Sequence, residues 1–229
     1  VLELAMPVLV EEKKVRGKKK KGMKKKKADP RKVEVLDACL ALGDACNQVG
    51  DEDCRRYLKQ AKEGYEAMLG RESEKALEAT YGLIFATCSS RRERIEKLRV
   101  FVERMKGALG EENIVTLETL NELGCELSQN GEHEEARKVF ERCLTGREKV
   151  FGVDHKHTLG TLNNLGEVYR VLKDNKKALE FYERALRGSE KMLGKTHPNT
   201  LNSVMNLAVV YGTGLEDYGK AEELYQRAL

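Results

Sequence analysis

The sequence of 229 residues is poor in helix breakers and lacks long apolar runs. It has three prolines and no tryptophan, while Leu, Glu, Lys and Ala dominate, a composition that suits long helices. No stretch of about twenty apolar residues occurs, as a membrane-spanning helix would require. Residues 1–10 are apolar except for Glu3 and precede the positive charges, the reverse of the order in a secretory signal. The sequence therefore predicts helices, with neither a membrane span nor a secretory signal.

Recognisable sites for catalysis or metal binding are also missing. The six cysteines form no Cys-x-x-Cys motif, and neither a Cys nor a carboxylate completes a metal set around His155 and His157. Residues 212–214 (Gly-Thr-Gly) lack the Lys and the preceding strand of a phosphate-binding loop. No nucleophile and base can be paired. We therefore expect no enzyme activity, no cofactor and no metal, and we expect the cysteines to be small buried thiols in a reducing compartment.

A short phrase of sequence recurs along the chain at a nearly constant interval. Its clearest copy, residues 159–169, reappears 42 residues later at 201–211 and 42 residues earlier at 117–127. Fixed-period self-similarity is the signature of stacked repeats, in which each unit buries its apolar face only against its neighbours. Such a chain offers an extended surface for binding instead of an enclosed reaction chamber.

Each repeat has the spacing of two helices joined by a polar turn. The first helix carries large apolar residues at three- and four-residue intervals, and the second carries a small, an aromatic and a small residue. In the fourth unit these are Leu159, Leu162, Leu165, Tyr169, Ala178, Tyr182 and Ala185. Gly152 and Gly194 close successive units and fit helix C-terminal positions. His155 and His197 recur in the loops that follow, which indicates a role in shaping those loops.

Two weaker copies extend the pattern toward the N-terminus. The five units begin near Leu36, Leu77, Leu117, Leu159 and Leu201. In the second unit Phe101 replaces the usual small residue, so its two helices must pack differently. In the fifth, one residue more than in the fourth precedes Ala221, and we assign it to the loop. The chain lacks an initiator Met and stops inside the fifth unit, as expected of a fragment or of a gene whose boundaries are incompletely assigned.

These residues resemble the tetratricopeptide repeat family. The Leu165-Gly166 pair, Tyr169 and the small–aromatic–small series of the second helix match its pattern. The usual unit has 34 residues, whereas these have 40 to 42. The longer unit, with residues 193–200 between helices and Leu-Asn-Asn-Leu in the first helix, is similar to repeats of kinesin light chains and nephrocystin-like proteins. The resemblance covers about residues 33–229 and implies an all-α, right-handed α-solenoid of about five hairpins, the last one truncated, around a concave groove.

The family also suggests which residues bind a partner. The residue just before the first-helix Leu often hydrogen-bonds the backbone of a bound peptide in this family; Asn164 and Asn206 hold that position, whereas Glu122 departs from it. An Asn amide both donates and accepts, so it suits an extended backbone; the alternative is a structural Asn that bonds a neighbouring turn. The predicted groove residues are Asn121, Glu122, Asn163, Asn164, Glu167, Arg170, Met205, Asn206 and Val209.

Helical spacing also predicts the charge of the groove. Arg170 is the one base expected to face it, and the acids are Asp37, Asp44, Glu78, Glu118, Glu122 and Glu167. The resemblance implies basic walls for grooves of kinesin light chains that bind acidic, Trp-containing peptides. This groove is instead expected to favour a basic or neutral peptide. The heptad coiled coil by which a light chain meets its motor heavy chain is missing from this segment.

The positive charge of the chain is concentrated in residues 1–32, the lysine-rich leader. This leader carries a net charge of +9, whereas the remainder carries −5. The runs Lys18–Lys21 and Lys24–Lys27 repel one another too strongly to fold alone, so we expect a disordered leader. A solvated tail, a nuclear-import signal and a patch for nucleic acid or anionic lipid all stay open. Base stacking is disfavoured because no aromatic residue lies among these lysines.

Three functions are compatible with these observations. The favoured one is a non-catalytic interaction scaffold that holds a partner peptide or helix in its groove, with a kinesin-light-chain-like cargo adaptor as its named form. The alternative is a regulatory or sensing region of a larger signalling protein whose catalytic or nucleotide-binding domain lies outside this segment. A third makes the leader the functional element and the repeats its dimerising support. The expected location is the cytoplasm, with the nucleus open through the leader.

Overall fold

Ten α-helices follow one another in the part of the chain that the structure, a computed structural model, describes. That part comprises residues 30–49 and 53–228, with side chains for residues 31–43 and 53–228, so most of the lysine-rich leader lies outside it. The helices are α1 (Pro30–Val49), α2 (Asp53–Leu69), α3 (Glu74–Thr87), α4 (Arg91–Leu109), α5 (Ile114–Gln129), α6 (His133–Phe151), α7 (Lys156–Val171), α8 (Asn175–Leu193), α9 (Pro198–Val209) and α10 (Tyr218–Ala228).

Each odd-numbered helix pairs with the next helix, and the resulting hairpins stack in sequence order. Every even-numbered helix up to α8 also contacts the odd-numbered helix that follows it. The odd-numbered helices form one layer, in which α1 contacts α3, α5 contacts α7, and α7 contacts α9. Each predicted unit start falls in an odd-numbered helix. The predicted all-α solenoid of five hairpins is thus confirmed.

The loops between units are held by a recurring set of hydrogen bonds. Gly152 has φ 93° and ψ 167°, a region that only glycine adopts without strain. Its carbonyl accepts a hydrogen bond of 2.8 Å from Thr158 Oγ1, and His155 Nδ1 accepts the His157 backbone N–H at 3.3 Å. His155 is therefore the N-cap of α7. The loop before α9 repeats these features with Gly194, Thr200, His197 and Asn199.

The small residue after the first-helix leucine is explained by a ring from the second helix of the same hairpin. A Cβ at Gly124 would lie 2.6 Å from the Phe140 ring, and one at Gly166 would lie 2.7 Å from the Tyr182 ring. Carbon atoms do not approach this closely, so any larger side chain would force the two helices apart. The Leu-Gly pair is therefore a packing requirement of the third and fourth hairpins.

The second hairpin departs from this arrangement, as Phe101 predicted. Ile84 stands where the third and fourth units have Gly124 and Gly166, and Phe101 is almost fully buried. With bulky side chains at two positions that are small in the third and fourth units, α3 and α4 pack less closely than the helices of the other hairpins. The core accordingly divides at α3. The alanine-rich face of α3 packs with α1 and α2, and the face that carries Leu77 joins the core that continues to α9.

The extra residue of the fifth unit lies in a helix and not in the loop. Residues Val210–Gly214 form a π-helical turn at the end of α9, and such a turn takes up one residue without breaking the helix. Asn175 Nδ2 at the start of α8 donates to the Gly214 carbonyl at 2.7 Å, which secures this turn to the preceding unit. The assignment to the loop was therefore wrong. The helix absorbs the inserted residue, and Ala221 is still buried.

Replacing Lys173 with glycine is expected to stabilise the protein by about 0.5–1 kcal/mol. Lys173 has φ 65° in the turn between α7 and α8, where the equivalent residue of the preceding unit is Gly131 with φ 86°. A side chain at this φ is strained, whereas glycine is not. Urea unfolding would measure the change. The reciprocal variant Gly131→Lys should lose a similar amount, and a neutral result for both variants would contradict the argument.

Candidate peptide-binding groove

The predicted groove residues lie at equivalent positions of the odd-numbered helices. Asn121 on α5, Asn163 on α7 and Met205 on α9 are 42 residues apart, and Tyr81 on α3 holds the same position in the second unit. Because the odd-numbered helices form one layer, side chains at equivalent positions form a row that crosses the units. Side chains one residue further along, such as Glu122, form a second row beside it.

Three predicted asparagines bond to the neighbouring unit. Asn164 Nδ2 donates to Asn121 Oδ1 at 3.3 Å and lies 3.7 Å from Cys125 Sγ. Asn163 Nδ2 meets Ser203 Oγ of α9 at 3.5 Å. These contacts join α5 to α7 and α7 to α9, as a structural Asn would. Both amide hydrogens of Asn164 have acceptors within the protein, so a peptide would have to replace one of them.

Arg147 of α6 lies beneath this row and connects α5 to α7. It is 5% exposed. Its Nη1 donates to Thr161 Oγ1 at 2.8 Å, to the His157 carbonyl at 2.9 Å and to Asn121 Oδ1 at 3.3 Å. Burial, and secondly the charge of Arg147, lowers the pKa of His157 to about 4, so this histidine is neutral at physiological pH. Arg147 is therefore a cationic floor for this part of the groove and holds the Oδ1 of Asn121.

The first of the two groove rows is more accessible to solvent on α9 than on α5 and α7. Met205 is 46% exposed, and Asn206 and Val209 are half-buried. Within residues 53–228, the Asn206 side chain makes no hydrogen bond comparable to that of Asn164. This end of the groove thus presents an amide that can bond to a partner without breaking an internal contact.

Glu167 and Arg170, both predicted groove residues, neutralise each other. Arg170 donates two hydrogen bonds to the Glu167 carboxylate, at 2.6 and 2.8 Å, and Tyr182 OH donates a third at 3.1 Å. The bond from Arg170 is the main cause that lowers the pKa of Glu167. The pair leaves little net charge for a ligand at this position.

The acids near α1 and α3 also have a cation beside them. Lys75 Nζ lies 3.1 Å from Asp37 and 3.9 Å from Glu78. Asp44 lies outside the described side chains. The predicted excess of six acids over one base is therefore reduced, because Lys75 was not counted and Arg170 is already paired.

Glu118 and Glu122, here called the α5 carboxylates, keep the negative charge of the groove. They lie one helical turn apart and are half-buried, with no hydrogen bond or ion pair in the described part of the chain. Burial raises the pKa of both, and repulsion from Glu126 raises that of Glu122 further, while Arg147 acts in the opposite direction. Half-buried carboxylates without a partner are costly for folding and mark a candidate binding site.

Glu122→Gln is expected to stabilise the protein at pH 7 and to reduce the gain in stability on acidification. Because the folded pKa of Glu122 is raised, the folded state binds more protons, and stability rises as pH falls through that pKa. Urea unfolding between pH 5 and 8 would measure the difference from the parent chain. The comparison with the parent chain is needed because His157, whose folded pKa is about 4, makes the protein less stable as pH falls over part of that range.

The exposed Glu180 of α8 provides the matched control for this measurement. Glu180→Gln should leave the unfolding free energy within about 0.5 kcal/mol at every pH. A Glu122→Gln variant that is less stable than the parent at pH 7 would show that Glu122 has a compensating partner.

Sequence reasoning overlooked several residues of the groove. Arg147 comes from a second helix and does not recur, since Ser189 holds its place in the fourth unit, so no pattern signals it. Tyr81 could have been found, because the unit offsets place it in the row of Asn121 and Asn163. No group of histidine, cysteine or acidic side chains that could hold a metal occurs among the described residues. The described cysteines, Cys39, Cys54, Cys88, Cys125 and Cys143, are in no disulfide.

Comparison with known proteins identifies the class of fold and then the family. Two tetratricopeptide repeat models match, one over residues 116–157 and the other over residues 157–229. Helix hairpins stacked in sequence order, with small residues at the hairpin contacts, are the architecture that these models describe. Residues 116–229 therefore consist of repeats of the tetratricopeptide family, in a long form of about 42 residues. No curated protein matches the sequence.

Solved structures show the same fold. A kinesin-light-chain-type protein of Podospora anserina with nearly identical TPR-like repeats superimposes with a TM-score of 0.71, at 23% identity over 84% of this chain and 92% of its own. BtubC (BKLC) of P. vanneervenii gives 0.65, at 19% identity over 86% and 87%.

A more distant kind of protein contains a similar array. A signal transduction ATPase with numerous domains from Pyrococcus horikoshii, which carries a tetratricopeptide repeat sensor, gives a TM-score of 0.64 at 18% identity over 89% of this chain and 31% of its own. Identities this low show a shared fold. Separately, none of the helices in the described residues is long and apolar enough to cross a membrane.

Proposed function

We propose that this chain is a non-catalytic interaction scaffold that binds a segment of a partner protein along its odd-numbered helices. Tetratricopeptide repeats are protein-interaction modules, and their solenoid exposes an extended concave surface. The observation that carries the proposal is the pair of α5 carboxylates, which are half-buried among the groove residues and make no hydrogen bond or ion pair within the described residues. A basic or neutral partner segment would relieve their desolvation, whereas an acidic one would be repelled.

The accessible α9 end supports the same proposal. Asn206 can donate to and accept from an extended backbone, and the exposed Met205 beside it offers an adaptable apolar contact. A segment that spans α5 to α9 would thus meet charge at one end and backbone hydrogen bonding at the other. This combination suits recognition of an extended peptide.

A peptide array scored by net charge, probed with the intact chain at physiological salt, tests this function. We expect capture of basic and neutral peptides over acidic ones. Asn206→Ala should reduce capture, whereas Glu180→Gln on the exposed face of α8 should not. Preferential capture of acidic peptides, or capture unaffected by Asn206→Ala and Glu122→Gln, would refute the proposed groove.

Two settings for such a scaffold are supported by the comparisons. The similarity to proteins of kinesin light chain type favours a cargo adaptor. The similarity to a repeat sensor of a multidomain ATPase favours a regulatory segment of a larger protein. The sequence encoded on either side of this segment would distinguish the two settings. Flanking heptad repeats would favour the cargo adaptor, and a flanking nucleotide-binding domain would favour the regulatory segment.

A further inference from the structure

The junction between α3 and α5 differs chemically from the next junction along the solenoid. Between α5 and α7, Asn164 bonds directly to Asn121. The equivalent residues one unit earlier are Glu122 and Tyr81, by offsets of 42 and 40 residues. The repeat register therefore assigns an aromatic ring and a carboxylate to the two positions that are both amides in the later units. A carboxylate and a ring face do not attract each other, but both attract a cation.

The protein already holds a cation in this way one helical turn further along. The Arg94 guanidinium carbon lies 5.2 Å from the centre of the Phe85 ring of α3, and its Nη1 donates to Glu126 Oε1 of α5 at 2.7 Å. A planar guanidinium thus fits between a ring of α3 and a carboxylate of α5. Arg94 comes from α4, so it reaches these two groups from within the fold, whereas a partner's side chain would reach the equivalent pair from the groove.

The same pair of groups recurs four residues earlier on both helices. Tyr81 precedes Phe85 with ring centres 5.0 Å apart, and Glu122 precedes Glu126. α3 and α5 run in the same direction, because each hairpin reverses the chain. A step of one turn along both helices therefore carries the arrangement around Arg94 onto Tyr81 and Glu122. Glu118 lies one further turn along and adds a second carboxylate, also without a partner in the described residues.

We propose that Tyr81, Glu118 and Glu122 form a slot that binds the arginine side chain of a partner protein segment. The guanidinium stacks on the Tyr81 ring and donates to the α5 carboxylates, as Arg94 does with Phe85 and Glu126. Arginine is favoured over lysine because a planar group can stack and donate at the same time. This inference rests on the proposed function, since it names the chemistry of a segment bound in the groove.

Binding of matched peptides to the intact chain tests the slot. The probes are fluorescein-labelled Gly-Ser decapeptides that carry three arginines, or three lysines, or three residues of citrulline, the uncharged isostere of arginine. Fluorescence polarisation at fixed physiological salt gives the dissociation constants. We expect the arginine peptide to bind at least about tenfold more tightly than the citrulline peptide, the loss typical of a charged hydrogen bond. The lysine peptide should lie between them.

Variants of the slot residues test whether the preference for arginine over citrulline arises at the slot. Glu122→Gln should weaken arginine binding by about tenfold, and Tyr81→Leu should weaken it several-fold. Tyr81→Phe keeps the ring and should bind like the parent, and Glu180→Gln on α8 should have no effect. Equal affinity for arginine and citrulline, or equal binding by the Glu122 and Glu180 variants, would overturn the slot. Tyr81→Leu alone could disturb the core near Phe101, so the Gln and Phe variants decide.

The outcomes also separate the slot from the proposed function. Peptide capture that depends on Asn206 but not on Glu122 would leave the scaffold standing and remove the slot, whereas an absence of capture would remove both. The lysine-rich leader is the competing occupant. If replacing Lys18–Lys21 and Lys24–Lys27 with glutamine tightens arginine binding, the chain's own lysines fill the slot and the assignment to a partner is wrong. Unchanged binding supports the partner.

Discussion

Replacing Leu165 with alanine is expected to lower the free energy of unfolding by about 2–5 kcal/mol. Leu165 is fully buried on α7, and its equivalents Leu123 and Leu207 are 4% and 3% exposed. Truncation removes apolar contact and leaves a cavity between hairpins that meet only their immediate neighbours. The rest of the solenoid cannot close such a gap, so the loss should lie in the upper part of this range.

Urea unfolding followed by helical circular dichroism measures this loss. Met192→Ala on α8 is the control, because Met192 is 57% exposed and should change stability by less than about 0.5 kcal/mol. Equal midpoints for the two variants would mean that the apolar face of α7 is assigned to the wrong side.

The hairpins could be predicted because their determinants are local and repeated. The Leu-Gly step of α7 records a ring contact within one hairpin, between Gly166 and Tyr182. Gly152 and His155 act within a few residues of each other in one loop. Period and spacing report such interactions directly, and five copies reinforce the signal. Residues 1–29 of the leader lie outside the described residues, so their predicted disorder stays a prediction.

The groove was harder to predict because its contacts join helices from different units. The partner of Asn164 is Asn121, 43 residues away, and the lateral shift between neighbouring helices decides which residue it meets. Lys75 neutralises acids that spacing alone had left unpaired. The π-helical turn after α9 was missed because one inserted residue looks the same in a sequence whether a helix or a loop absorbs it. The roles of the predicted groove residues in binding stay predictions.

Replacing Arg147 with methionine is expected to destabilise the protein by about 2–3 kcal/mol at neutral pH. Methionine keeps much of the length of the side chain but makes no hydrogen bond, so the acceptors on Asn121, Thr161 and the His157 backbone lose a charged donor in a buried site. Its removal also raises the cost of ionising the α5 carboxylates, since the charge of Arg147 lowers their pKa values.

The pH dependence of that loss distinguishes Arg147 from an ordinary packing residue. As pH falls, the α5 carboxylates take up protons and their attraction to Arg147 disappears. Because the charge of Arg147 helps to lower the pKa of His157, the variant also protonates this histidine more readily than the parent chain does. Both changes favour the variant relative to the parent chain at low pH. The loss of unfolding free energy in Arg147→Met should therefore shrink from pH 8 to pH 5. Arg187→Met on α8, where the side chain is 66% exposed, should stay within about 0.5 kcal/mol throughout. If the loss of unfolding free energy in Arg147→Met does not change with pH, Arg147 acts through packing and hydrogen bonding alone. There would then be no electrostatic link between the floor of the groove and the α5 carboxylates that we expect to meet a partner.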